Sequence, residues 1–189
     1  MKKQTKFIIF IALVVLIIGG LGLYFSLKPE APSKFDGFAQ SLKDKGAIFY
    51  GAFWCPHCQA QKAEFGTSKK YLPYVECSNP DQSQTQICID NKIESYPTWT
   101  FKNDMTLTSD KEPLICDIKT KDSVEKPECQ NRSSEFFKTW IFDNYSFSVK
   151  PSVEPIKKGN TFKFLAGTQI SGEVPLQFLA DQIQFTLPQ

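Results

Sequence analysis

The sequence predicts an α/β layer fold behind an N-terminal transmembrane helix, with an insertion before its last strand. Three observations predict it. Helix-type and strand-type segments alternate along the chain. An uncharged apolar run, Phe7 to Leu27, precedes them. A polar interruption at about 103–160 separates the first strands from a final strand and helix. The boundaries that follow are 1–6 as a cytoplasmic lead, 7–27 as the anchor, 28–34 as a linker and 35–189 as the folded domain.

Composition agrees with a globular domain. The chain is 41% hydrophobic and 22% charged, which is ordinary for a soluble core. Its 17 Phe, 6 Tyr and 3 Trp exclude a disordered chain. A net charge of +2 gives no reason to expect nucleic acid.

MKKQTK places lysines ahead of the apolar run. At about 1.5 Å per residue, that run crosses a hydrocarbon core of roughly 30 Å. Lysines on its N-terminal side favour an N-inside orientation. The domain then lies outside the cytoplasm, in a periplasm or its equivalent. A cleaved signal peptide is the alternative. The run is longer than the usual h-region and no A-x-A-like site follows it, which favours the anchor. Both readings export the domain.

KPEAPSK is a polar linker with two prolines. In FDGFAQSLKDKG, Phe35, Phe38, Ala39 and Leu42 fall on one helical face and Gly46 stops the helix. AIFYGAF lacks polar alternation and reads as a central strand buried on both faces. CPHC follows at once and leads into the helix-compatible QAQKAEFGTSKK. LPYVECS reads as a strand, and DQSQTQICIDNKI, 81–93, as a helix with Ile87 and Cys88 on one side. YPTWTF is a strand opened by Pro97. In the interruption, FFKTWIF is expected as a helix that packs the insertion onto the domain or docks a membrane partner. TFKFLAG is the last strand, Gly172 marks a turn, and VPLQFLADQI is an amphipathic helix.

Export bears on the six cysteines. Outside the cytoplasm an even number suggests disulfides. The simplest pairing is sequential, because each pair closes a short loop. Cys77–Cys88 then acts as a structural disulfide, with a relay to the first pair as the alternative. Cys116–Cys129 staples the insertion.

Cys55 and Cys58 form a CxxC between a strand and a helix. The first cysteine of such a motif meets backbone N–H groups that have no intrahelical partner. The helix dipole adds partial positive charge there. Both stabilise a thiolate, and His57 adds to them. Cys55 is therefore expected as an exposed nucleophile and Cys58 as a more buried resolving thiol. Pro56 suits the first helical position. Stabilising the reduced form makes a pair a stronger oxidant. A zinc site would need Cys77 and Cys88, which are not at knuckle spacing, and no second histidine exists. No metal or cofactor is expected. Trp54 is a candidate substrate platform, and Trp99 is expected in the core.

With Pro97 the chain resembles the thioredoxin superfamily. In that fold a cis-proline opens a strand some forty residues after the redox cysteines and faces them, and Pro97 lies 42 residues beyond Cys55. The resemblance implies a three-layer α/β/α sandwich. It also implies a cis Tyr96–Pro97 bond and a wall of Tyr96 and Pro97 that binds substrate as an extended strand. The pieces FYGAFWCPHCQAQKAEFG, YVECS, QICIDNKIESYPTWTF and FLAGTQISGEVPLQFLADQI narrow the likeness. They look like the thioredoxin-like domain that is fused to, or accompanies, bacterial and plant homologues of vitamin K epoxide reductase. That family carries a second pair matching Cys77 and Cys88, and it passes electrons from folding proteins to a membrane quinone reductase. The likeness covers about 35–102 and 161–185. CPHC also matches the Dsb oxidants, but their helical insertion directly follows the CxxC helix. Ordinary thioredoxins bury an acid six positions before the first cysteine. Here that position is Phe49, and proton transfer needs water or another group. Thioredoxin-like copper chaperones add a distant histidine to the two cysteines, and this chain has none.

The reading is a membrane-anchored extracytoplasmic thiol–disulfide oxidoreductase. It exchanges disulfides with exported cysteine-containing proteins through Cys55–Cys58. It acts as an oxidant, recycled by a membrane quinone reductase of the vitamin K epoxide reductase or DsbB type. A reductase or isomerase of exported thiols, or a metallochaperone, is the alternative.

Overall fold

A computed structural model describes residues 10, 11, 13–20, 32–108, 113–116, 138–141, 146–150 and 153–188. The chain divides into two units, Met1–Pro32 and Ser33–Gln189. In the first, the described residues 10, 11 and 13–20 are helical, and their large apolar side chains, Phe10 to Ile18, are exposed. Among the described residues no helix is long and apolar enough to cross a membrane. The rest of the expected 7–27 span lies outside them.

The second unit begins with helix α1, Asp36–Asp44. Asp36 accepts a hydrogen bond from the Ser33 N–H at 3.0 Å, which ties down the entry. Phe38, Ala39 and Leu42 are buried, as their spacing predicts. The helix stops where Gly46 takes a φ of 76°, a left-handed conformation that suits glycine. Strand β1, Ala47–Gly51, follows. Next come α2, Pro56–Glu64, and β2, Tyr74–Glu76. Helix α3, Gln86–Asp90, leads to β3, Thr98–Phe101.

β1 runs parallel to β2 and antiparallel to β3, with Phe49 level with Tyr74 and Trp99. It is thus the central strand of this part, as its unbroken apolar run predicts. Phe49 stacks on Trp99 with ring centroids 4.6 Å apart. On that face the main core collects Phe38, Phe65 and Phe178 from the helices. The opposite face carries a smaller cluster of Tyr50, Cys77, Cys88 and Ile93. Its helical cover among the described residues is the short α3, so the second helical layer is thin.

Three expectations need correction. The helix expected over 81–93 is confined to Gln86–Asp90. Asp81 accepts from both the N–H and the hydroxyl of Ser83, and Ser78 forms a β-bridge with Gln84. Such side-chain-to-backbone bonds offer the chain a turn in place of a helix. FFKTWIF contains a strand, not a helix: β6, Lys138–Ile141. Its β-branched and aromatic residues suit a ladder paired on both sides.

The interruption and the last strand also depart from expectation. β4 is Met105–Thr108, β5 is Leu114–Cys116 and β7 is Ser146–Val149. β8 is Ile156–Lys158 and β9 is Thr161–Phe164. β9 is a strand as expected, but it pairs with β4 and β8 in a separate three-stranded sheet. The strand beside β3 is the two-residue β10, Ile170–Ser171, which sequence reading passes over as part of a turn. Beyond β10 the interruption extends the main sheet, in the order β2-β1-β3-β10-β7-β6-β5. Trp140, Phe147, Phe162 and Phe164 join the main core. The interruption is therefore built into the domain. Helix α4, Leu176–Gln182, closes the unit with Phe178, Leu179 and Ala180 buried.

Candidate redox site

The site begins with β1 and the turn after it. Cys55 is the N-cap of α2, in an extended conformation with φ −78° and ψ 117°, and Pro56 opens the helix. This seats Cys55 at the free N–H groups of the first turn. Cys58, one turn further in, is fully buried. Both thiols are free. Cys55 is 5% exposed, so it is recessed where sequence reading expects an exposed nucleophile. The aromatic pair before it, Phe53 and Trp54, stands out instead at 47% and 46% exposure.

Across from α2, the Tyr96–Pro97 peptide is cis. The Tyr96 carbonyl accepts a hydrogen bond from Cys55 Sγ at 3.7 Å. The Pro97 carbonyl accepts from the Gly172 N–H at 2.9 Å, which brings the loop after β10 to the same place. The structure therefore joins three separate stretches at Cys55: residues 53–58, 95–97 and 171–174.

Cys58 is held behind this opening. Its thiol pKa is pushed up to about 12, chiefly by burial; a hydrogen bond with the Ala52 backbone opposes this, and the neighbouring Cys55 thiol adds to it. A Cβ on Gly51 would lie 2.9 Å from Cys58 Sγ and 2.9 Å from the Tyr74 ring. Gly51 is the residue that lets α2 sit this close to β1, and an apolar run gives no hint of it.

Phe49, at the position of the thioredoxins' buried acid, is apolar and stacked. A charged cluster stands nearby on β2 and α2. Tyr74 donates from its hydroxyl to Glu76 at 2.9 Å, and Lys62 Nζ lies 3.3 Å from the centre of the Tyr74 ring. Burial lowers the Lys62 pKa, partly offset by Glu76. Lys62 also draws the Cys58 pKa down slightly.

His57 points outward. Its Nδ1 pairs with Glu173 Oε1 at 2.6 Å, in a setting where the side chains are 70% and 39% exposed. Gln61 fastens the same loop from inside. Its amide accepts from the Val174 N–H at 2.8 Å and donates to the Val174 carbonyl at 3.0 Å. Sequence reading missed Glu173 and Gln61. A glutamate beside the glycine that precedes α4 is the one signal that could have raised the first.

Cys77 and Cys88 form a disulfide. They are thereby withdrawn from the zinc reading, and no cluster able to hold a metal occurs among the described residues. Cys116 is also disulfide-bonded. Cys129, the partner expected for it, lies outside the described residues.

No family model matches the chain. Curated proteins resemble it in part. Over 78 residues it is 46% identical to "Thiol-disulfide oxidoreductase LTO1" of Arabidopsis thaliana, covering 38% of this chain and 20% of the plant protein. Over 88 residues it is 32% identical to "Thioredoxin domain-containing protein 5 homolog" of Drosophila melanogaster, covering 41% and 21%. The chain thus spans about a fifth of the length of the curated relatives it matches. The free CxxC pair at a helix start and the cis-proline against it agree with these two likenesses, and together they support a thioredoxin-like fold for Ser33–Gln189.

Proposed function

We propose that this chain is a protein thiol–disulfide oxidoreductase working through Cys55 and Cys58. One observation carries the reading. A free cysteine at the start of α2 faces the Tyr96 carbonyl beside a cis-proline, with a second free thiol buried one turn behind it.

In the oxidised state the two sulfurs form a disulfide. A client thiolate attacks Cys55 Sγ, and a client–Cys55 bond forms as the Cys55–Cys58 bond breaks. The electron pair leaves on Cys58, which takes up a proton. Burial favours that neutral thiol, so the mixed disulfide is not readily reversed from within. A second client thiolate then attacks the client sulfur of the mixed disulfide and expels Cys55 as a thiolate. Two electrons pass from two client thiols to the Cys55–Cys58 pair, and no bound cofactor is needed for the exchange.

The wider setting is part of the same proposal. The apolar run of residues 7–27 tethers the domain to a membrane on its extracytoplasmic side. The clients are exported cysteine-containing proteins. A membrane quinone reductase of the vitamin K epoxide reductase or DsbB type reoxidises the pair. This rests on the N-terminal composition and on the resemblance over 35–102 and 161–185.

Substituting Cys55→Ser should reduce disulfide exchange with a reduced client protein to the uncatalysed background, measured by loss of client thiols. Retention of the wild-type rate would sink the reading. The Cys55–Cys58 potential then gives the direction. A value near about −120 mV makes the chain an oxidant, and one near about −270 mV makes it a reductase.

A further inference from the structure

We propose that Ser78 and Gln84 are positioning residues that set an aromatic wall, Trp54 and Tyr96, against which a client chain lies while its cysteine reacts at Cys55. The inference rests on the exchange activity proposed above and adds what steers the client. The client it implies is an unfolded segment whose cysteine is flanked by apolar or aromatic residues.

The two rings meet edge to face, with centroids 6.1 Å apart. Each is held by one hydrogen bond at its polar end. The Trp54 indole N–H donates to Ser78 Oγ at 2.8 Å. The Tyr96 hydroxyl accepts from Gln84 Nε2 at 2.9 Å. Ser78 and Gln84 are themselves β-bridge partners, so one paired rung of backbone supports both rings. Gln84 Nε2 also donates to the Ile93 carbonyl at 2.6 Å, which fixes the amide's orientation.

The rung is anchored on both sides. Ser78 directly follows Cys77, and the Cys77–Cys88 disulfide closes the segment that contains Gln84. Glu76 Oε1 accepts from the Ser78 N–H at 3.0 Å and from the Phe53 N–H at 3.1 Å, tying the rung to the turn before Cys55. The Cys77 N–H donates to the Gly51 carbonyl at 2.7 Å.

The wall adjoins the reacting sulfur, because the carbonyl of the same Tyr96 accepts from Cys55 Sγ. Trp54 stays nearly half exposed although a specific bond fixes its ring. Aromatic rings held in this way offer large contact area and lose little conformational entropy when a partner arrives. Freed from their struts, the rings would have to be ordered at each encounter, which weakens client binding and leaves the sulfur chemistry alone.

The test uses the full chain with its Cys55–Cys58 disulfide formed, and two probes. One is a reduced peptide with a single cysteine between leucine and phenylalanine. The other is dithiothreitol, too small to span the wall. The variants are Ser78→Ala, Gln84→Ala and the pair together. The double variant should form the peptide mixed disulfide about tenfold less efficiently, through a higher KM, as expected on losing two hydrogen bonds. Its rate with dithiothreitol should stay within about twofold. Trp54→Ala should give a similar loss, and adding Ser78→Ala to it should cost nothing further, because both remove the same wall.

The proposal is overturned if the double variant matches wild type with the peptide. It is equally overturned if both probes slow by the same factor, since the bonds would then serve the fold or the thiols. A wild-type chain that reacts with neither probe overturns the oxidoreductase reading itself, and that result is visible before any variant is made.

Discussion

The unit Ser33–Gln189 holds two buried cysteine pairs side by side in sequence, and burial does not tell them apart. Cys58, Cys77 and Cys88 have no exposed surface, and Cys55 has almost none. What differs is the address of the first sulfur. Cys55 caps a nine-residue helix, with unpaired backbone N–H groups around it and the Tyr96 carbonyl in front. Cys77 leaves the end of β2 and meets Cys88 in the middle of a five-residue helix, sealed by Tyr50 and Ile93. The first place sets a free thiol at a helix start beside a strand-opening cis-proline. The second closes its two sulfurs on each other inside a buried cluster. On the proposed function, a helix start facing a backbone carbonyl marks the exchange site here better than the exposure of its sulfur does.

The largest test of this contrast removes the sealed pair. Changing both Cys77 and Cys88 to alanine should destabilise the domain by about 3 kcal/mol, the entropic value for a loop of this size. For a chain of this length that lowers Tm by roughly 6–12 °C. The Cys55–Cys58 potential should stay where it is. A potential that moves with the deletion would mean that the two pairs act as one system, and the contrast would fail.

A smaller effect is expected at Gly51, whose missing Cβ makes room for Cys58. Gly51→Ala places a carbon where 2.9 Å separates it from Cys58 Sγ and from Tyr74. Overpacking of this kind costs about 1–3 kcal/mol. Displacement of α2 should also slow disulfide formation between Cys55 and Cys58, read by quenched alkylation. Unchanged closure kinetics would show that the packing at Gly51 has no part in the chemistry.

Much of the candidate redox site is written in the sequence because its parts are local. CPHC, Pro56 at the helix start and the apolar run of β1 are each decided by neighbours within a few residues. Pro97 is the distant member, and it could be named only through the family resemblance. The supports were hidden because they depend on pairing across long separations. Glu173 reaches His57 from 116 residues away, and Gln61 reaches Val174 from 113. Tertiary context also overrode local pattern in the interruption. Trp140 and Ile141 read as part of a helical patch, but the ladders to β5 and β7 make them a strand. The short β10 has too few residues to show any period, although it carries the join between the two halves of the main sheet.

The last test concerns proton binding, and its effect at neutral pH is the smallest of the three. Cys58 in the folded, reduced chain keeps its proton up to about pH 12, whereas an ordinary thiol gives it up near 9.0. Between these values the unfolded chain binds fewer protons at this site than the folded chain does. Stability of the reduced form must therefore fall as pH rises through this window, and be flat in this respect below it. Cys77 and Cys88, joined in a disulfide, have no thiol proton to lose and add no such slope. Lysines and tyrosines titrate in the same range, so the quantity to measure is a difference. Denaturant unfolding of the reduced wild type should be compared with Cys58→Ala at several values between pH 8 and 12. The gap between the two should close progressively above pH 9. Parallel curves would mean that burial does not hold the Cys58 proton. The proposed exchange mechanism would then lose its reason for protonating Cys58 as it leaves the disulfide.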